Sequence, residues 1–110
     1  MVSQRCSTAE RLFARHWAEM HYILFYDYVE DILVRREPHR PAHLDRLRDL
    51  AAAGAVRMAG ALGDPVRGAA IIFRCEERAT VEAFAREDPY VLHGLVTEWR
   101  VEPWNVVVGG

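Results

Sequence analysis

His43 and Asp88 are the pair in this chain best suited to moving a proton. His43 lies in Arg36-Glu37-Pro38-His39-Arg40-Pro41-Ala42-His43-Leu44, which opens a helix, and Asp88 lies in Asp88-Pro89-Tyr90, which closes another. Imidazole changes charge near neutral pH, and a carboxylate beside it orients the ring. Such a pair can therefore act as general base or general acid. The two residues can do this only if the fold makes them neighbours. The structural alternative is a His43 that packs or caps its helix with Asp88 as its partner.

Other residues in the two motifs are suited to binding. Arg40 can hold an anionic oxygen, and His39, His93 and Tyr90 can line the same pocket. A solvated Arg40 is the simpler reading of that residue. Tyr26, Tyr28 and Tyr90 can shape a pocket for an aromatic compound or serve as ordinary core. Gly60 and Gly94 can admit close backbone or ligand approach. His39 and His43 are four apart, a spacing that chelates metal on a helix, but no third ligand is obvious beyond Asp88 or His93. No metal is therefore assigned. No phosphate loop, nicotinamide motif or nucleophile triad is visible, and no cofactor is assigned.

The elements that must position these residues follow from the pattern. His21 to Tyr28 is aromatic and β-branched, a strand signal. Val29 to Glu37 is a polar-studded connection. Pro41 suits the first turn of a helix, Leu44, Leu47, Leu50 and Ala51 give it an apolar stripe, and Gly54 ends it. Ala55 to Leu62 is a second strand, Gly63-Asp64-Pro65 a turn, and Gly68 to Cys75 a third strand. Arg78 to Glu87 is a helix with Val81, Phe84 and Ala85 facing inward. Asp88-Pro89 stops it, because a residue before proline avoids helical geometry. Leu95 to Val101 is a fourth strand, interrupted by Pro103 and extended or followed by Trp104 to Val108.

The order β-α-β-β-α-β is the ferredoxin-like split βαβ arrangement, an α+β fold with an antiparallel sheet and two helices on one face. With the first strand pointing up, the first helix starts at the top and the second ends there. His43 and Asp88 then share one rim by topology alone. Both faces of the first strand are apolar, with Tyr22, Leu24 and Tyr26 on one side and Ile23 and Phe25 on the other. Two helices cover only one face, so a second cover is needed. Another copy of the chain is the simplest cover, which predicts a homodimer built sheet against sheet.

The totals bound the function class. The chain has 110 residues, enough for one principal domain. A net charge of −2 argues against a nucleic-acid partner, which needs a basic face. All 14 basic residues are arginine, which fits the coding bias of a high-GC genome. No apolar run approaches the roughly 20 residues of a membrane span. Cys6 and Cys75 fit no zinc spacing. Cys75 reads as a reduced, partly buried thiol in a cytoplasmic protein; a disulfide with Cys6 is the alternative. Residues 1–19 read as an N-terminal extension, with a capping box at Ser7 to Glu10 and an amphipathic helix. Residues 20–110 read as the domain, and Met20 is a candidate natural start.

The sequence resembles the YciI-like (YCII-related) family of the dimeric α+β barrel class. The resemblance is carried by the tyrosine-rich first strand, Arg36 to Leu44, Ala59-Gly60-Ala61-Leu62, Asp88-Pro89-Tyr90-Val91 with Gly94-Leu95-Val96, and the ending Val101 to Val108. It covers Met20 to about Val108. It implies the fold derived above and an acid–base centre at His43 and Asp88. One relative in the family is a dehydrochlorinase acting on a chlorinated hydroxyquinol. His93 stands where the family pattern has a small residue. The expectation is an enzyme performing elimination or isomerisation on a small cyclic or aromatic compound. The alternative is a non-catalytic small-molecule-binding or accessory protein using the same pocket.

Overall fold

The structure, a computed structural model, describes residues 20–109. The helix expected within residues 1–19 lies outside them. Four strands form one antiparallel sheet: β1 (His21–Tyr28), β2 (Val56–Leu62), β3 (Gly68–Arg74) and β4 (Val96–Trp104). Their order is β2-β3-β1-β4, the ferredoxin-like order. Two main helices, α2 (Arg40–Ala52) and α3 (Arg78–Glu87), cover one face. Two short helices flank them, α1 (Ile32–Arg35) and α4 (Pro89–Leu92), with a 3-10 turn at Glu37–His39. No helix among the described residues is long and apolar enough to cross a membrane.

Register explains the core. Tyr22, Leu24 and Tyr26 alternate inward from β1 and lie opposite Phe73, Ile71 and Ala69 of β3. All six are buried under the helices. Phe73 meets Phe84 of α3 edge to face, with ring centroids 5.3 Å apart. Ile23, Phe25, Ala70 and Ile72 point to the opposite face and are only half-buried, so one face of the sheet carries an apolar centre that none of the described helices covers.

Three local readings need correction. Pro103 does not interrupt the last strand: β4 continues through it, with Pro103 opposite Tyr22. β4 is an edge strand, where a missing N–H need not break the sheet. The buried stripe of α2 runs through His43 and Leu47, with Leu44 and Leu50 partly buried, while Ala51 is exposed. The histidine takes an inward position of the kind an apolar residue usually fills. The Val29–Glu37 connection contains α1, whose Ile32 is 1% exposed and anchors a small second cluster with Tyr90 and Leu95.

Candidate functional site

Asp88 is the keystone of the upper rim. Pro89 favours extended geometry at the preceding residue, and Asp88 has φ −69° and ψ 130°. The chain therefore leaves α3 and starts α4 at this one residue. The Asp88 side chain caps α4, with Oδ1 accepting from the Tyr90 N–H at 3.0 Å. N-cap carboxylates are common for this reason. Here the cap also turns the carboxylate inward, where it is 0% exposed.

Two further side chains reach that carboxylate. His43 Nδ1 lies 2.9 Å from Oδ1 and 3.0 Å from Oδ2. The Tyr26 hydroxyl donates to Oδ2 at 2.6 Å. A buried charge is tolerable only when hydrogen-bonded, and Asp88 has three donors. When Asp88 is ionised its carboxylate only accepts, and Nδ1 then carries the proton. When the ring is neutral, Nε2 is then the basic nitrogen. Nε2 has no hydrogen-bond partner among the described residues.

The ring of His43 is fixed in orientation as well. It stacks on Tyr90, centroids 3.8 Å apart and planes 9° from parallel. One turn along α2, Arg46 donates to the Phe84 carbonyl at 3.2 Å and lies over the Phe84 ring at 4.3 Å. This ties α2 to α3 beside the histidine. Gly68 lets β3 pass close behind Tyr26, because a Cβ there would collide with the Tyr26 carbonyl oxygen.

A cleft of about 170 Å³ opens beside this unit, lined by His43, Tyr28, Tyr90, Arg36 and Arg40. Its floor is Ala59, Gly60 and Ala61 of β2 with Ala69 of β3. Ala61 lies opposite Ala69 and Ala59 opposite Ile71 in the sheet. Small side chains on the helix-facing side of β2 leave the gap under α2 unfilled, which is the physical origin of the cleft. Burial raises the Tyr28 phenol above its ordinary range, and the Tyr90 phenol is raised for the same reason, against the pull of Arg36 and Arg40. Both remain protonated donors near neutral pH.

The expected binding residues divide into two groups. Arg40, Gly60 and Tyr90 line the cleft. His39 and His93 stack on each other instead, centroids 4.0 Å apart, and join the 3-10 turn to the end of α4. Gly60 contributes backbone only; a Cβ there would meet nothing within 4 Å, so space does not require glycine. Gly94 has φ +74°, a left-handed turn that ends α4 before β4. Tyr26 as a donor to Asp88 and Arg36 as a lining cation are additional. Arg36 stood in the quoted motif, but only the fold shows that it turns toward the cleft.

A match to the YCII-related domain spans residues 20–105. The proteins named YciI of Escherichia coli and Shigella flexneri are each 32% identical over 97 residues, covering 80% of this chain and 99% of theirs. A solved structure from Burkholderia phenoliruptrix superposes with a TM-score of 0.67 at 24% identity, covering 78% of this chain and 94% of its own. That protein is a 5-chloro-2-hydroxyhydroquinone dehydrochlorinase in complex with 2,5-dihydroxybenzoquinone. The superposition supports the ferredoxin-like α+β architecture.

Proposed function

This chain belongs to the YCII-related family, and we propose that it is an acid–base enzyme acting on a small cyclic or aromatic compound. One observation carries the reading: His43 holds its Nδ1 against a fully buried Asp88 while its ring lines a cleft. That arrangement leaves Nε2 to take a proton from a bound compound and return it. The chemistry it serves best is elimination, such as dehydrohalogenation, or isomerisation, because both need proton transfer without a redox partner. The dehydrochlorinase activity of the structural neighbour supports elimination. The cleft is of suitable size, since an apolar cavity of about 150 Å³ accommodates benzene.

In an elimination, Nε2 removes a proton from carbon, the C–H electron pair forms the new double bond, and chloride leaves with its own pair. Asp88 stabilises the imidazolium that forms. The test is a panel of chlorinated and hydroxylated ring compounds followed by chloride release and ultraviolet spectra. Chloride release that disappears in His43→Ala supports the reading. No turnover by the native protein across the panel, with binding retained, supports the second reading.

That second reading is a binding or accessory protein. It is favoured by one feature: Ala59, Gly60 and Ala61 are exposed, so the cleft is open along the β2 edge in a single chain. In either case we propose a homodimer joined through the sheet face that no described helix covers, with residues 20–110 as the folding unit and residues 1–19 as an extension. Met58, 65% exposed, extends the apolar centre formed by Ile23, Phe25, Ala70 and Ile72. We also place the protein in the cytoplasm, where the Cys75 thiol stays reduced.

A further inference from the structure

We infer that the cleft binds its ring compound as an oxyanion, held between the guanidinium groups of Arg36 and Arg40. The inference rests on the reading of the cleft as a ligand site and names the ligand class: a hydroxylated ring, of phenol or enol type, ionised at oxygen.

Arg36 and Arg40 differ from five of the other arginines in their surroundings. Arg35, Arg46, Arg48, Arg78 and Arg100 each sit within 4.0 Å of a carboxylate. Arg36 and Arg40 have no carboxylate partner among the described residues, yet both line the cleft. Arg36 Nε is buried with no hydrogen-bond partner among the described residues. A buried cationic donor left unpaired is destabilising, and a bound anion is one way to satisfy it. Guanidinium carries a rigid fork of donors suited to a planar oxyanion.

The negative charge nearby does not satisfy these cations. Asp88 is taken up by Tyr26, His43 and the Tyr90 N–H. The cleft thus presents two positive groups and two protonated phenols. The positive field reaches the lining phenols, because Arg36 and Arg40 both pull Tyr28 and Tyr90 toward ionisation against the effect of burial. A ring with no charged oxygen could at most accept a hydrogen bond here, whereas an anionic ring oxygen would also balance the two guanidinium charges on the same cleft as His43.

The probe for this is 4-nitrophenol, which turns yellow on ionisation, with nitrobenzene as a neutral control of similar shape. Bound 4-nitrophenol should be ionised at pH values where the free compound is protonated. Its midpoint should fall by about one unit or more, which is a tenfold preference for the anion. Nitrobenzene should bind at least tenfold more weakly. Arg36→Gln and Arg40→Gln should each weaken nitrophenolate binding about tenfold, with Arg36→Lys recovering part of the loss. The colour shift is read on the native protein, so a variant that fails to fold does not remove the test. Binding of the neutral phenol, or equal binding of nitrobenzene, would overturn the inference. A protein that binds nitrophenolate but turns over nothing would overturn only the enzyme reading.

Discussion

The Tyr26 hydroxyl donates a 2.6 Å hydrogen bond to Asp88 Oδ2 from 62 residues away. The carboxylate that orients His43 is therefore itself held by the first strand. This gives the rim a chain of three side chains from β1, α2 and the end of α3. It also sets out what each substitution should do.

Tyr26→Phe removes one donor from a buried carboxylate and leaves the packing almost unchanged. Hydrogen bonds to charged groups contribute about 1.5–3 kcal/mol. Urea unfolding of Tyr26→Phe should show a loss of that size at neutral pH. A variant as stable as the native protein would mean that Asp88 does not depend on this bond.

Alkaline pH should destabilise the protein through the same residue. Burial, and then the charge of Asp88, raise the Tyr26 phenol well above its ordinary value of 10.0. Below about pH 10 both folded and unfolded chains keep this proton, and stability does not change on its account. Above about pH 10 the unfolded chain releases it and the folded chain does not. The unfolded state then binds fewer protons, so stability falls with rising pH, by up to about 1.4 kcal/mol per unit. Unfolding free energies from pH 9 to 11, about the ordinary phenol range, should show this fall in the native protein, with Tyr28 and Tyr90, whose phenols burial also raises, adding to it. It should be smaller in Tyr26→Phe.

Charges placed on the two sheet faces should have different effects. Phe73 is 1% exposed and packs on Phe84. Phe73→Asp should unfold the domain, because it buries an unpaired charge. Phe25 lies on the face that no described helix covers, with the Arg100 guanidinium 4.4 Å from its ring centroid. Phe25→Asp should leave a folded chain that light scattering finds as a monomer, whereas the native protein should be found as a dimer. A native monomer would contradict the proposed sheet-to-sheet assembly.

A protein beginning at Met20 should fold with similar cooperativity. Met20 packs against the core, and its carbonyl accepts from the Cys75 N–H at 3.1 Å, so the described domain is tied down at its first residue. Loss of the cooperative melt on removing residues 1–19 would show that the extension covers part of the core.

Much of the rim was legible because topology carried it. The strand and helix order places the start of α2 and the end of α3 at one end, whatever the side chains are. The α3 limits, Arg78 and Glu87, were also readable, since Pro89 forces the break. The role of Tyr26 was not. An inward tyrosine in an aromatic strand looks the same in sequence whether its hydroxyl is bonded or not. The short helices α1 and α4 were missed because four residues are too few for helical periodicity to register. The α2 stripe was placed one residue off at its start because Leu44 is the apolar neighbour of His43. The sequence pattern follows hydrophobicity, whereas the fold turns the histidine inward toward Asp88. The pairing of His39 with His93 depends on how α4 folds back, and nothing in either motif signals it.

The central claim is that His43 and Asp88 act as one proton-transferring unit, and turnover of a ring substrate by four proteins tests it most directly. The native chain, His43→Ala, Asp88→Asn and the double variant should be compared by kcat/KM. Each single variant should lose about 10²-fold or more, and the double variant should be hardly worse than either. Near-native turnover by both single variants, or losses that multiply in the double variant, would contradict the account.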